Sequence, residues 1–473
     1  MSRASWKVFV IAVLGVFSTQ YAQAVTHRYN VTLDDNLSLM DVRLCFDGEA
    51  PEYLDSGDRS NASYIRDISL VSPDSSERPS INGGHIITSK LPKDSCIAYS
   101  VSLNGAIQDK KVSRVGDSLL VDIRTWLWRP RQLSPQDVIE LYFNLPSGMK
   151  MTGPWQRLDS RPNSFRFYST PINWSGRVAF GEVEKMFASA LGKEIRICLV
   201  GKFTEQQKQD IGTWVGRAAA NIIQVYGSFP VPDADILVVA VGDRFGSSAV
   251  PWAEVQRSGR PVVQFFINEQ RPLKEFLADW TPTHEIAHML HPSIEWRYKW
   301  VYEGLASYYQ NLARARGGQL SELQAWQELY SGFQRGLNES QQSHWWGAPK
   351  YMEMYWRGAA VALMVDVALR KQSNHRQSLD TALDDFQQCC FSPVRTWSGQ
   401  EFFKQMDKLT NTRLFSQIYG QYTETDHFPD MAPVFSELGI AVDGGKIQLE
   451  KRGLKAVLRQ EMMISKPLIA PAR

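Results

Sequence analysis

Thr283-His284-Glu285-Ile286-Ala287-His288-Met289-Leu290, followed by Tyr302-Glu303-Gly304-Leu305-Ala306-Ser307-Tyr308-Tyr309, is the stretch on which the reading of this chain turns. On a helix of 3.6 residues per turn, His284 and His288 project from one face a turn apart, so both imidazoles can meet one cation. Glu285, about 100° further round, can stand beside that cation without binding it and accept a proton. Pro292 ends the first helix within about a turn of His288, because proline cannot continue the hydrogen-bond ladder. A second helix starting near Trp300 and running back antiparallel returns Glu303 to the level of His288. Two histidines, one glutamate and one open position make a zinc site of the catalytic type. Chance is a poor alternative: with eight histidines in 473 residues, composition gives on the order of 0.01 matches to this pattern. Ile286, Ala287, Met289 and Leu290 are the expected buried face. His291, directly before Pro292, suits a supporting role at the helix end better than ligation.

Outward from this stretch, the composition excludes several classes. With 43% apolar residues and a formal net charge of +2, neither a nucleic-acid partner nor an acidic surface is indicated. Residues 1–24 have the makings of an export signal: Arg3 and Lys7 precede the apolar run Val8 to Phe17, and Ala22-Gln23-Ala24 offers a cleavage site. The run is too short to span a bilayer, and no later segment is apolar and long enough, so no stable membrane anchor is expected after cleavage. The expected location is periplasmic or secreted, where disulfides are permitted. Cys45 and Cys96 are the natural pair, Cys198 is expected to be a buried thiol, and a bridge between the adjacent Cys389 and Cys390 is not expected because of strain.

Residues 25–180 alternate in short runs, such as Tyr29 to Leu33, Leu119 to Ile123 and Val138 to Phe143, and predict an all-β, sandwich-like domain. The polar segment Leu54 to Ser80 reads as a long surface loop. Trp126, Trp128, Trp155 and Trp174 read as core and interdomain aromatics, with a ligand-stacking face as the alternative. From 181 to 430 the pattern becomes α+β and then helical. Ile195 to Val200 is a strand, Thr204 and Gln207 form a capping box opening a helix to about Tyr226, and Asp235 to Val241 and Val262 to Ile267 are further strands. Helical patterns then cover Leu320 to Leu337, Lys350 to Arg370, Leu379 to Gln388 and a segment from Ser398. Residues 431–473 suggest a small strand and a terminal helix packed back on the preceding domain.

The His284-Glu285-x-x-His288 and Glu303-Gly304 residues, together with Tyr355-Trp356-Arg357-Gly358-Ala359-Ala360 and the closing Leu438-Gly439-Ile440, resemble the glycyl aminopeptidase family of gluzincin zinc metallopeptidases. The resemblance implies a thermolysin-like catalytic domain behind the β domain, one zinc ion on His284, His288 and Glu303, Glu285 as general base, and a peptide or protein substrate. It passes to Tyr355 the role of donating a hydrogen bond to the developing oxyanion. Arg357 stands where that tyrosine motif usually has lysine, and is a candidate substrate contact. The spacing from His288 to Glu303 is shorter than in the alanyl aminopeptidases. The family's glutamate segment that holds the substrate amino end has Glu254 as its nearest counterpart. The competing expectation is a non-catalytic peptide- or glycan-binding envelope protein on a peptidase fold; an intact Glu285 and Tyr355 speak for the enzyme.

Overall fold

The computed structural model describes residues 25–469 except 72–77, 135–136, 160, 169, 232–233, 258, 343–349, 393–394 and 426; the export-signal reading of residues 1–24 lies outside the described residues. The first part of the chain is built from three sheets. The largest has seven strands in the order Gln156–Arg157, Ser164–Tyr168, Val138–Asn144, Thr26–Leu33, Leu39–Cys45, Cys96–Ser102 and Ile65–Leu70. Thr26–Leu33 buries every second side chain, including Tyr29, Val31 and Leu33, as a half-buried strand must. Trp126, Trp128 and Trp155 are core residues of this part, with the ring of Trp155 stacked on Phe143. Cys45 lies opposite Cys96 in the strand register and the two are disulfide-bonded. The expected surface loop between Leu54 and Ser80 is partly ordered structure. Asp58 caps a short helix at Arg59–Tyr64, and Ile65–Leu70 then pairs along the edge of the large sheet.

A five-stranded sheet follows, in the order Val183–Ala190, Lys193–Val200, Asp235–Ala240, Val262–Ile267 and Trp252–Gln256. The first and last strands run antiparallel to their neighbours and the middle pairings are parallel. This sheet is apolar on both faces, and the two-residue period divides the labour. Ile197, Leu199, Ile236, Val238, Val263 and Phe265 face the helices. Cys198, Val200, Leu237, Val239, Val262 and Phe266 face Val115, Leu120 and Ala179 of the β part. The five-stranded sheet is thereby seated on the β part through a mostly apolar layer.

Thr204 and Gln207 form the capping box of the long helix Glu205–Tyr226, which ends at Gly227 in a left-handed conformation. The helices Lys299–Arg316, Glu322–Gln341, Tyr351–Gln372, Leu379–Cys390 and Gly399–Thr410 fill the remainder. Residues after 430 add a hairpin, Ile440–Asp443 with Lys446–Leu449, and the helix Leu454–Glu461; Leu438, Ile447, Leu458 and Met462 join the same core as Ile286 and Met289. Cys389 and Cys390 are bridged, against expectation. They stand at the end of their helix, where the chain turns extended at Phe391. Cys198 is a buried free thiol.

Candidate metal centre

The helix carrying the histidines spans Thr281–Ala287, tightens into a single turn at His288–Leu290, and is extended by His291. Its short length leaves it dependent on neighbours. Asn221 of the long helix donates to the Thr283 hydroxyl at 3.1 Å, and the Tyr226 phenol donates to the Leu290 carbonyl at 2.6 Å. The buried guanidinium of Arg257 donates to the carbonyls of both His288 and His291. These bonds satisfy carbonyls that the helix end would otherwise orphan.

The facing helix, Lys299–Arg316, brings Glu303 back to the histidines. Glu303 Oε2 is 3.3 Å from His284 Nε2 and 3.5 Å from His288 Nε2. Three donors bound tetrahedrally at about 2.0–2.1 Å stand about 3.4 Å apart, so these separations are those of a site for one zinc-sized ion. The ligand atoms of the three residues all lie within 4.8 Å of one another, and the residues are buried.

The hydrogen bonds behind the ring set the tautomers. His291 Nδ1 faces the Pro292 carbonyl at 2.8 Å and donates to it, so its Nε2 accepts from His288 Nδ1–H at 3.0 Å. Likewise His284 Nδ1 donates to Gln310 Oε1 at 2.9 Å. Both imidazoles are left with their Nε2 lone pairs turned toward a carboxylate, an arrangement that fits a bound cation. Burial opposes ionisation of Glu303, yet the neighbouring His284 and His288 hold its carboxyl well below the usual range. Burial, reinforced by Arg257 and His288, keeps His291 neutral. Burial also lowers His288, whereas for His284 it is outweighed by Glu303 and Glu285, which raise it.

Glu285 is half-buried and not among the ligands. Burial pushes its carboxyl up to about 7, helped by the charge of Glu303 and countered by His284 and Lys299. Tyr355 lies on the helix Tyr351–Gln372 with its ring 5.8 Å from that of His284. Burial, with the charges of Glu303 and Glu285, raises its phenol far above the ordinary value, so it remains a donor. Two glycines set its position: a Cβ on Gly304 would lie 2.3 Å from Gly358, and one on Gly358 would lie 1.9 Å from the Trp300 carbonyl oxygen. The Glu303 and Tyr355 helices therefore touch backbone to backbone, one residue beyond the ligand on one side and three beyond the phenol on the other.

Two expected contacts are not brought together with this cluster. Glu254 sits on the edge strand Trp252–Gln256, where Ala253 and Val255 pack toward the helices and Glu254 points to the opposite face. There it is ion-paired with Arg177, which also donates to Gln264 at 2.8 Å and lies over the Phe266 ring. Strand alternation decides this, since a one-residue offset changes the face. Arg357 donates to the Thr425 carbonyl at 3.0 Å, stands 3.7 Å from Glu353 and lies over the Trp300 ring, contacts that tie helices together.

Other members of the site escaped the sequence reading. Gln310, seven residues after Glu303, and Lys299, four before it, share its helix face, a signal that the spacing carried. Arg257 gave no local signal, because it arrives from the end of the edge strand.

No protein-family profile and no curated protein sequence matches this chain. Solved structures do. An aminopeptidase N family protein from Idiomarina loihiensis superposes with a TM-score of 0.64 over 88% of this chain and 79% of its own, at 15% identity. Native yeast LTA4 hydrolase gives 0.53 over 88% and 70%, at 12% identity, and its complex with bestatin 0.51 over 85% and 66%, at 11% identity. In fold the chain is similar to these structures, and its own His284, His288 and Glu303 form the candidate metal cluster.

Proposed function

We propose that the protein is a zinc-dependent metallopeptidase that hydrolyses peptide bonds at the cluster of His284, His288 and Glu303. The observation that carries this reading is the convergence of three buried ligand atoms at zinc-site spacing, beside the Glu285 carboxyl and the Tyr355 phenol. A divalent cation held there supplies Lewis acidity, polarising the scissile carbonyl and acidifying a water. Glu285 takes the proton from that water and passes it to the leaving amine; a carboxyl whose pKa lies near neutrality suits both transfers. Tyr355 donates to the carbonyl oxygen as charge develops on it, and its high pKa keeps the proton in place until then.

The amino-end anchor expected of an aminopeptidase is not supplied by Glu254, which pairs with Arg177 on the far face of the sheet. The reading is therefore of a peptidase whose mode is set by other groups at the cleft. Two disulfides, Cys45–Cys96 and Cys389–Cys390, support an oxidising location and so export. Among the described residues no helix is long and apolar enough to cross a membrane.

Metal content measured together with turnover tests the assignment. Purified protein should hold one zinc per chain, and Glu285→Gln should keep the zinc while losing peptide hydrolysis. Absence of stoichiometric zinc, or unchanged hydrolysis in Glu285→Gln, refutes it.

A further inference from the structure

Lys299 is a charged side chain at the metal cluster that the hydrolytic chemistry does not use. It opens the helix that bears Glu303, one turn before it, and its Nζ lies 3.8 Å from Glu303 Oε1, the oxygen turned away from the imidazoles. Its charge is also felt at Glu285. The ammonium is not buried among apolar side chains. It is set over the ring of Trp296 at 4.5 Å and near that of Tyr351 at 5.9 Å. Those two rings are 75% and 51% exposed, so the cation stands at the open rim of the cluster and can be reached from solvent. Trp280, 46% exposed with its ring 5.3 Å from that of His284, continues this aromatic edge.

Among the described residues Lys299 is ion-paired with Glu303, and an ammonium has three donors to place. Once Glu303 shares its charge with a cation, its hold on Lys299 weakens, and the remaining donors are directed to whatever occupies the cleft. The opposite charge, a carboxylate able to take a substrate amino group, is not furnished by Glu254, which is engaged elsewhere. With a divalent cation offsetting the Glu303 carboxylate, the Lys299 ammonium at the rim would favour an anionic group.

The geometry points to Lys299 as a specificity-determining residue that binds a carboxylate of the substrate within one or two residues of the scissile bond. That reach follows from the few ångströms separating its Nζ from Glu303 and from about 3.5 Å of chain per residue. The carboxylate is either the C-terminal α-carboxylate or an acidic side chain. The inference rests on the metallopeptidase reading above and adds the substrate class to it. The rings of Trp296 and Tyr351 hold the ammonium in place and flank the bound group with apolar surface.

The test uses three dipeptide hydroxamates, which anchor on zinc, titrated calorimetrically into the zinc-loaded full-length protein: one ending in a free carboxylate, one ending in an amide, and one ending in an amide but carrying a glutamate side chain. The carboxylate-bearing probe of the preferred kind should bind about tenfold more tightly than the plain amide, the size of effect a charge-assisted hydrogen bond gives at a half-exposed site. The first and third probes tell the two sources apart. Lys299→Met should collapse the ratio toward one, Lys299→Arg should preserve most of it, and Lys299→Glu should invert it. Zinc content and melting temperature, measured on each variant, identify any that lose the metal or the fold. Equal binding of all three probes to the native protein, or a preference that survives in zinc-loaded Lys299→Met, overturns the assignment while leaving the metal centre standing. Failure of every probe to bind the zinc-loaded protein overturns both.

Discussion

Gly304→Ala asks how much of the site depends on two helices touching. The added methyl carbon would sit 2.3 Å from the backbone of Gly358, where ordinary contact begins near 3.4 Å, so the helices must part by about 1 Å. Backbone atoms cannot swing aside as a long side chain can. The cost is that of overpacking a well-filled interior, about 1–3 kcal/mol, which urea denaturation resolves as a lowered midpoint with an unchanged slope. The functional cost is larger in proportion. Glu303 is next to Gly304 and Tyr355 is three residues before Gly358, so the proposed ligand and the proposed oxyanion donor move apart together, and a 1 Å misplacement costs about a hundredfold in rate. Peptide hydrolysis at saturating zinc should fall by that order in kcat, with KM less affected. Gly420→Ala is the control: it lies in the helix Leu414–Thr423 with nothing within 4 Å of the new carbon, and should stabilise by about 0.5–1 kcal/mol through helix propensity. A Gly304→Ala protein with native stability and native kcat would refute the claim that backbone contact places Tyr355.

His291→Phe removes the acceptor for His288 Nδ1–H and should weaken zinc binding by about 10–100-fold in a chelator competition, since partners of ligating histidines carry effects of that size. Glu254→Gln should leave both kcat and KM of peptide hydrolysis within about twofold, because the side chain faces away from the cluster. A large rise in KM would mean the edge strand is turned differently from the register described. Asp380 accepts from the Tyr309 phenol at 2.8 Å and pairs with the buried Arg316 at 2.9 Å. Asp380→Ala should therefore cost about 3–5 kcal/mol of stability, the penalty for stranding a buried cation. Reduction of Cys45–Cys96 should destabilise the β half by about 2–4 kcal/mol, read as a lowered thermal midpoint of the protein with dithiothreitol.

The legibility of this chain followed the range of its interactions. The three ligands could be named from sequence because a helix period of 3.6 and one proline dictate where His284, His288 and Glu303 go, all within about twenty residues. The capping boxes at Thr204 and Ser398 were readable for the same local reason. Glu254 was misplaced because its face depends on strand register, a single-residue matter that composition does not encode. The segment after Leu54 was read as loop because its apolar residues are few, yet Ile65–Leu70 is paid for by ladder bonds to Cys96–Ser102, a partner some thirty residues away. The vicinal bridge at Cys389–Cys390 depended on the helix ending where it does. Arg257 shows the limit: the carbonyls it bonds lie 31 and 34 residues downstream.

The chain of hydrogen bonds behind the two imidazoles ends on uncharged atoms, the amide of Gln310 for one and, through His291, a peptide carbonyl for the other. A carboxylate in either place would push electron density through the ring and soften the ion's pull. With neutral partners in both places, a zinc ion bound by His284 and His288 would keep more of its electron-withdrawing power than one whose histidines are backed by carboxylates.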